Sequence, residues 1–379
     1  MPAGRGVSSA GTGPCWPTRR RLAQPPPPRR VPRPGAGGLC HGGRVGAALV
    51  RRAAASAVAC TLTLGALAAT AVCAPPAHAV QTVTPSVRWW GADRYATATA
   101  VSREAFPQGA RDVVVVSGAR FPDALAAAPL AAQLGGPVIT VPAGPLPAVV
   151  RTELERLSPA VVHVVGGSSV VGDDVVAQLA PLASDRVVRL QGADRYETAA
   201  SVATTAFSSA SEVVLASGQD FPDALAAGSA GAALGSPLLL TERGALPGPT
   251  RAALAALAPS RVTLVGGPAV VTPAVQQQVR ALLPGAAVVR LSGDDRYGTA
   301  AAVARDTWES VPSPLLASGE GFPDALAGAA LGAPLLLTRR DCLPAATAKA
   351  YADLGVQDVT GLGGAAVLSD AALAGTPCR

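Results

Sequence analysis

Glu212-Val213-Val214-Leu215-Ala216-Ser217-Gly218-Gln219-Asp220-Phe221-Pro222-Asp223-Ala224-Leu225 decides how this chain is read. An apolar run without polar alternation ends on a Ser-Gly turn. That is the pattern of a strand covered on both faces. Pro222 then opens a small-residue stretch predicted to be helical from Pro222 to Leu234, with proline in the first turn, where its missing N–H costs little. Working outward, Val187–Leu190, 237–241 and Arg261–Val265 read as further strands. Glu197–Phe207, Thr250–Leu257 and Pro273–Leu283 read as helices. Strands alternating with helices predict α/β units with mostly parallel sheets.

The quoted stretch occurs three times. Ser-Gly-x-x-Phe-Pro-Asp-Ala-Leu begins at Ser117, Ser217 and Ser318. A second motif precedes each copy: Gly91-Ala92-Asp93-Arg94-Tyr95, Gly192-Ala193-Asp194-Arg195-Tyr196 and Gly293-Asp294-Asp295-Arg296-Tyr297. The period of about a hundred residues suits compact units, each able to bury a core of its own, rather than turns of a thin solenoid. The units divide as 84–183, 184–284 and 285–379. In the third, Phe322 and Pro334 are four residues closer than their counterparts. One helical turn can be lost in this way without rotating the apolar face.

Residues 1–79 differ in kind. They hold ten arginines and no acidic residue, so the net charge of +6 belongs to this leader, and residues 80–379 carry 21 basic against 25 acidic groups. Nucleic-acid binding by bulk charge is thereby unsupported. Arg51-Arg52, the apolar stretch Ala53–Val72 and Ala77-His78-Ala79 have the order of a cleaved secretory signal, leaving no stable membrane span after cleavage. Residues 1–50 are rich in Pro, Gly and Arg and show no folding pattern. Translation from Val45 or Val50 is one explanation.

Chemistry-bearing residues are scarce. Beyond the leader there is one histidine, His163, within Val161–Val165, and one lysine, Lys349. No zinc cluster and no Gly-x-Ser-x-Gly elbow is evident. The sequence implies no cofactor and no metal, and a non-enzymatic role. Cys342 and Cys378 are the two cysteines outside the leader and read as one disulfide, with two buried thiols as the alternative. At each strand-to-helix turn, Asp93, Asp194 and Asp295 read as helix caps, and Asp123, Asp223 and Asp324 as first-turn acids favoured by the helix dipole. Gly118, Gly218 and Gly319 are read as permitting the turn. Arg94, Arg195 and Arg296, followed by Arg88, Arg189 and Arg290, are the candidate anion-binding residues, because guanidinium matches phosphate and carboxylate in a bidentate way. Free N–H groups at the adjoining helix starts are expected to assist. Trp89-Trp90 stands where the later units have Leu190-Gln191 and Leu291-Ser292. The pair could stack on sugar or cover an open end of the first unit.

In order, Gly-x-Asp-Arg-Tyr-x-Thr-Ala, Ser-Gly-x-x-Phe-Pro-Asp-Ala-Leu, Pro-x-x-x-Thr and Val-x-Gly-Gly resemble the cell wall-binding repeat 2 family of bacterial surface proteins, over about residues 84–379. The resemblance implies three tandem Toprim-like α/β modules in a pseudo-threefold arrangement. It implies an exported protein that binds non-covalently to an anionic polymer of a Gram-positive-type wall, at grooves between modules. A wall-acting hydrolase using Asp, Ser and Arg with a divalent metal, and a structural surface-layer or adhesive protein, are the alternatives.

Overall fold

The structure is a computed structural model that describes residues 87–379. The leader readings over 1–79, including the signal stretch Ala53–Val72 and the start at Val45 or Val50, lie outside the described residues. The described chain opens with β1 (Val87–Trp89) and α1 (Arg94–Ala105). It continues through β2 (Asp112–Ser117), α2 (Phe121–Ala124), α3 (Ala127–Leu134), β3 (Val138–Val141), α4 (Ala148–Leu157), β4 (Val161–Val165) and α5 (Asp173–Leu179). The second round is β5 (Arg186–Leu190), α6 (Arg195–Ala206), β6 (Glu212–Ser217), α7 (Pro222–Leu234), β7 (Leu238–Thr241), α8 (Gly248–Leu257), β8 (Arg261–Val265) and α9 (Pro273–Leu282). The third is β9 (Ala287–Leu291), α10 (Arg296–Thr307), β10 (Leu315–Ser318), α11 (Pro323–Ala329), β11 (Leu335–Thr338), α12 (Ala345–Leu354), β12 (Thr360–Leu362) and α13 (Asp370–Leu373).

Three four-stranded parallel sheets result, with the same internal order: β3-β2-β4-β5, β7-β6-β8-β9 and β11-β10-β12-β1. The sheets and the sequence repeats are out of phase. β5 precedes the second Gly-x-Asp-Arg-Tyr motif in sequence yet pairs with β4, and β9 likewise pairs with β8. β1 pairs with β12, Val87 opposite Thr360 and Trp89 opposite Leu362, so the first described strand completes the last sheet. The three units therefore close on one another as a ring rather than standing in a row.

The inner helices explain the closure. α7 buries eleven of its thirteen residues and consists mostly of alanine and glycine. A helix that is apolar all round has no face for water. Side chains this small bring neighbouring helices into close contact: a Cβ on Gly228 would meet Ala128 at 3.4 Å, and one on Gly231 would meet Pro129 at 3.0 Å. Ser229 donates to the Ala333 carbonyl at 2.6 Å across the same centre. Phe121, Phe221 and Phe322 form a near-equilateral triangle, with ring centroids 5.7, 5.8 and 5.9 Å apart, in the edge and tilted geometries that aromatic quadrupoles favour. One apolar cluster draws on all three units, while separate outer cores sit within the first and second. The expectation that each unit buries a core of its own holds in the first and second units but is incomplete: the inner helices, of Ala and Gly, have little to bury among themselves and pack on their neighbours in the shared cluster.

Two local departures have sequence causes. In the first unit the helix predicted after Phe121 is split into α2 and α3, with Pro129, which has no N–H to donate, inside α3. In the third, α11 spans seven residues where α7 spans thirteen, in line with the shorter Phe322–Pro334 interval.

The C-terminal segment is tied back by a Cys342–Cys378 disulfide enclosing a separation of 36 residues. The Leu343 N–H donates to Thr376 O at 2.6 Å, and the Cys378 N–H to Leu343 O at 3.0 Å. Replacing both cysteines by serine should lower the stability of the third unit by about 3–4 kcal/mol in the chain-entropy account, read as a shift in its guanidinium unfolding transition. An unshifted transition would show that the backbone pairing alone fixes the segment.

Candidate functional site

Each joint between units is built by the two repeated motifs meeting across it. Asp93 accepts from the Tyr95 and Ala96 N–H groups at 2.9 and 2.8 Å. Asp194 accepts from Glu197 N–H and Asp295 from Gly298 N–H, each at 2.8 Å. The aspartates are helix N-caps. Each cap carboxylate occupies some of the N–H donors expected to assist an anion at these helix starts, two in α1 and one each in α6 and α10.

The arginines have specific partners. Arg94, Arg195 and Arg296 each donate one Nη1 hydrogen bond, to the carbonyls of Gly118, Gly218 and Gly319 at 2.7, 2.6 and 2.5 Å. Arg94 is exposed; Arg195 and Arg296 are half-buried. Gly118 gives the reason for a glycine here: a Cβ would sit 2.8 Å from Tyr95 Cε1 and 3.2 Å from Arg94 Cδ. Gly218 and Gly319 are crowded by Tyr196 with Arg195 and by Tyr297 with Arg296 in the same way. These glycines admit the arginine and tyrosine of the other motif, and none of the three has a left-handed φ. The expectation that they chiefly permit a turn is corrected accordingly.

Arg88, Arg189 and Arg290 are built into the wall. Arg88 donates to Gly363 O and Leu368 O at 2.8 and 2.7 Å and pairs with Asp370 at 2.8 Å. Arg189 repeats this on Gly166 O, Val171 O and Asp173. Arg290 donates to Gly266 O at 2.6 Å, and burial lowers its pKa. These three guanidiniums hold the strand-end turn of the neighbouring strand.

The sequence reading missed a second role for the first-turn aspartates. Asp123 bonds to Thr198 of the second unit, Asp223 to Thr299 of the third, and Asp324 to Thr97 of the first. Each threonine is almost fully buried. Each also accepts from a motif glycine: Gly192 N–H at 3.1 Å, Gly293 N–H at 3.2 Å and Gly91 N–H at 3.2 Å respectively. The hydroxyl thus accepts from its own unit and donates to the carboxylate of the preceding one, around the whole ring. Beside each carboxylate lies the first glycine of a Gly-Gly pair: Gly166, Gly266 and Gly363 have φ of +115°, +120° and +106°. A side chain would be strained there and would also crowd the aspartate. The motif threonine, Gly-x-Asp-Arg-Tyr-x-Thr, was the available signal.

Two clefts open at these joints. One of about 760 Å³ lies between the third and first units, lined by Trp90, Asp93, Arg94, Glu320, Asp324 and Arg340 among others. The other, about 320 Å³, lies between the second and third and gathers Asp220, Asp223, Asp294 and Asp295 against Arg296. The larger cleft balances its charges; the smaller is acidic. Among the described residues no cluster of three His, Cys, Asp or Glu side chains is placed to hold a metal ion. His163 sits on β4 with Nε2 2.9 Å from Asp112 Oδ1, a contact internal to the first sheet. No helix among the described residues is long and apolar enough to cross a membrane.

Residues 88–176, 189–276 and 290–373 match the family described as Cell wall binding domain 2, and the chain belongs to that family. It is 31% identical over 243 residues to the N-acetylmuramoyl-L-alanine amidase LytC of Bacillus subtilis (strain 168), covering 64% of this chain and 47% of the relative. It is 28% identical over 263 residues to the Amidase enhancer of the same organism, covering 68% of this chain and 35% of that one. Among solved structures it is similar to Cwp6 from Clostridium difficile, with a TM-score of 0.71 at 24% identity over 78% of this chain and 48% of the other. It is likewise similar to Cwp8 from Clostridium difficile, with a TM-score of 0.68 at 25% identity over 75% and 50%. The chain spans half or less of the length of each of these relatives. The three-repeat architecture is that of the family, and membership places the chain among secreted proteins associated with the bacterial cell wall and surface.

Burial raises the pKa of Asp123, Asp223 and Asp324, that of Asp223 to about 6 from 3.8, against the opposing threonine hydrogen bonds and neighbouring arginines. A carboxyl with a higher pKa folded than unfolded binds more protons in the native state, so stability falls as pH rises between the two values. For Asp223 that window runs from about 4 to 6. The thermal midpoint should therefore rise as pH is lowered from 7 to 5, and Asp223→Asn should flatten part of that rise. An identical slope in the variant would remove the buried-carboxyl account.

Proposed function

We propose that the protein binds an anionic polymer of the bacterial cell wall non-covalently and performs no chemistry on it. The observation that carries this reading is the open cleft between the third and first units. It sets two outward cations, Arg94 and Arg340, beside an exposed indole, within a family of wall-binding repeats. Arg94, Arg195 and Arg296 are the proposed polymer contacts. Each has one nitrogen committed to a glycine carbonyl, which fixes the side chain and leaves the rest of the fork to meet an anion. Arg88, Arg189 and Arg290 support the wall behind them. The acidic lining of the smaller cleft favours the joint between the third and first units over that between the second and third. The likeness to an amidase and an amidase enhancer extends over 47% and 35% of those proteins. It supports a shared means of attachment more than a shared reaction.

Attraction is local, since the chain beyond the leader is slightly acidic as a whole. Sedimentation with purified Gram-positive walls should therefore weaken as NaCl is raised. It should fall severalfold in the combined Arg94→Ala, Arg195→Ala, Arg296→Ala variant, with circular dichroism unchanged. Undiminished binding by a folded triple variant would overturn the arginine assignment. Release of soluble wall fragments by the purified protein would overturn the non-catalytic reading.

A further inference from the structure

We infer that Trp90 is a stacking platform for a pyranose ring of the wall polymer, and that it makes the joint between the third and first units a sugar-selecting site unlike the other two. The inference rests on the wall-binding reading above and names the chemistry of that site. Trp90 is 55% exposed, one of three large hydrophobic side chains left outside among the described residues. It belongs to the lining of the larger cleft rather than to a core cluster. The six-membered ring of its indole rests on the glycine pair that ends β12: a Cβ built on Gly364 would meet Trp90 Cε3 at 3.3 Å and Cζ3 at 3.9 Å. The glycine therefore supports the ring from behind while half of it faces the cleft.

The other two joints show what this position does elsewhere. The equivalent of Gly364 at the first joint is Gly167, where a Cβ would meet Gln191 Oε1 at 3.5 Å. At the second it is Gly267, with nothing within 4 Å. The residue after the closing strand thus lies over the second glycine in the first case, falls short of it in the second, and offers an aromatic surface in the third. The scaffold does not require an indole there, because two of the three joints close without one. Trp89, its neighbour, is partly buried against the central core and accounts for the packing of this end.

A pyranose suits the surroundings. Its axial C–H groups carry partial positive charge and meet the negative face of an aromatic ring favourably. Its hydroxyls need both donors and acceptors at the edge. Arg94 and Arg340 supply donors, and Glu320 and Asp93 supply acceptors, from the same cleft. Arg340 is more than half exposed, with only a distant ion pair to Asp341 at 3.8 Å. A polymer read only by charge would be served by the cations and would gain nothing from the ring.

The test compares the full protein with its Trp90→Gln and Trp90→Phe variants in sedimentation with purified Gram-positive walls, at about 0.1 and 0.5 M NaCl. Trp90→Gln should weaken binding about tenfold, and the loss should persist at the higher salt, because stacking is not screened. Trp90→Phe should recover most of it, and both variants should keep the wild-type melting temperature. Walls stripped of phosphodiester-linked polymers with cold hydrofluoric acid assign the sugar: a Trp90-dependent component that survives lies on the glycan strands, and one that disappears lies on the removed polymers. Equal binding by wild type and Trp90→Gln, or a loss that vanishes at the higher salt, overturns the platform while wall binding stands. Absence of wild-type binding overturns both readings.

Discussion

The close approach of the inner helices is the constraint on which everything else rests. α7 can lie against the inner helices of both neighbouring units because its surface is alanine and glycine, and Gly228 and Gly231 stand where a larger side chain would collide with the first unit. Dense packing of small residues yields little apolar area per residue, but it leaves little room for alternative arrangements. The three phenylalanines close one end of that centre. Once the centre is fixed, the starts of α2, α7 and α11 come within reach of the next unit's Gly-x-Asp-Arg-Tyr segment. The aspartate–threonine–glycine links then form at every joint. A bulky residue in the inner helices would thus be felt at the clefts as well as in the core.

Much of the fold was legible because the local signals agree. The strand at Glu212–Ser217, the helix at Pro222–Leu234 and the strand at Arg261–Val265 lie where apolar runs, proline and glycine put them. What the sequence could not show was phase. Val187–Leu190 is a strand by composition, and nothing within a single repeat says whether it pairs with the next strand along the chain or with the preceding one. The pairing with β4 is decided by strand register across units, a non-local choice. The same limit applies to the site. Asp194 reads as a cap from its position alone, and it is one. The role of Asp123 as a link to Thr198 depends on a contact between residues 75 positions apart. Gly118 looked like a turn residue because glycine usually is; its actual reason, the ring of Tyr95 above it, becomes visible only in three dimensions.

The three joints share one framework and differ in what they present. Carboxylate, threonine and glycine recur at all three joints, whereas the residue after the closing strand and the charges around it do not. A tandem repeat can vary in this way at low cost: the linking threonines are buried and tied to both units, while Trp90, Gln191 and Ser292 sit outside that network. The acidic lining at Asp294 and Asp295 and the mixed lining at Trp90 and Arg340 are therefore differences in recognition superimposed on a common support.

The pairing of β1 with β12 has a consequence for how the chain can be cut. Val87 lies opposite Thr360 in one sheet, and the segment ending at Arg379 is bonded back to Leu343 of the same unit. Because β1 is held in the last sheet, residues 285–379 alone would lack one of the four strands of that sheet. The first and second units are in the same position: residues 84–183 lack β5, and residues 184–284 lack β9. A cut at any repeat boundary therefore divides a sheet, and a single excised repeat would leave an open edge beside β4, β8 or β12.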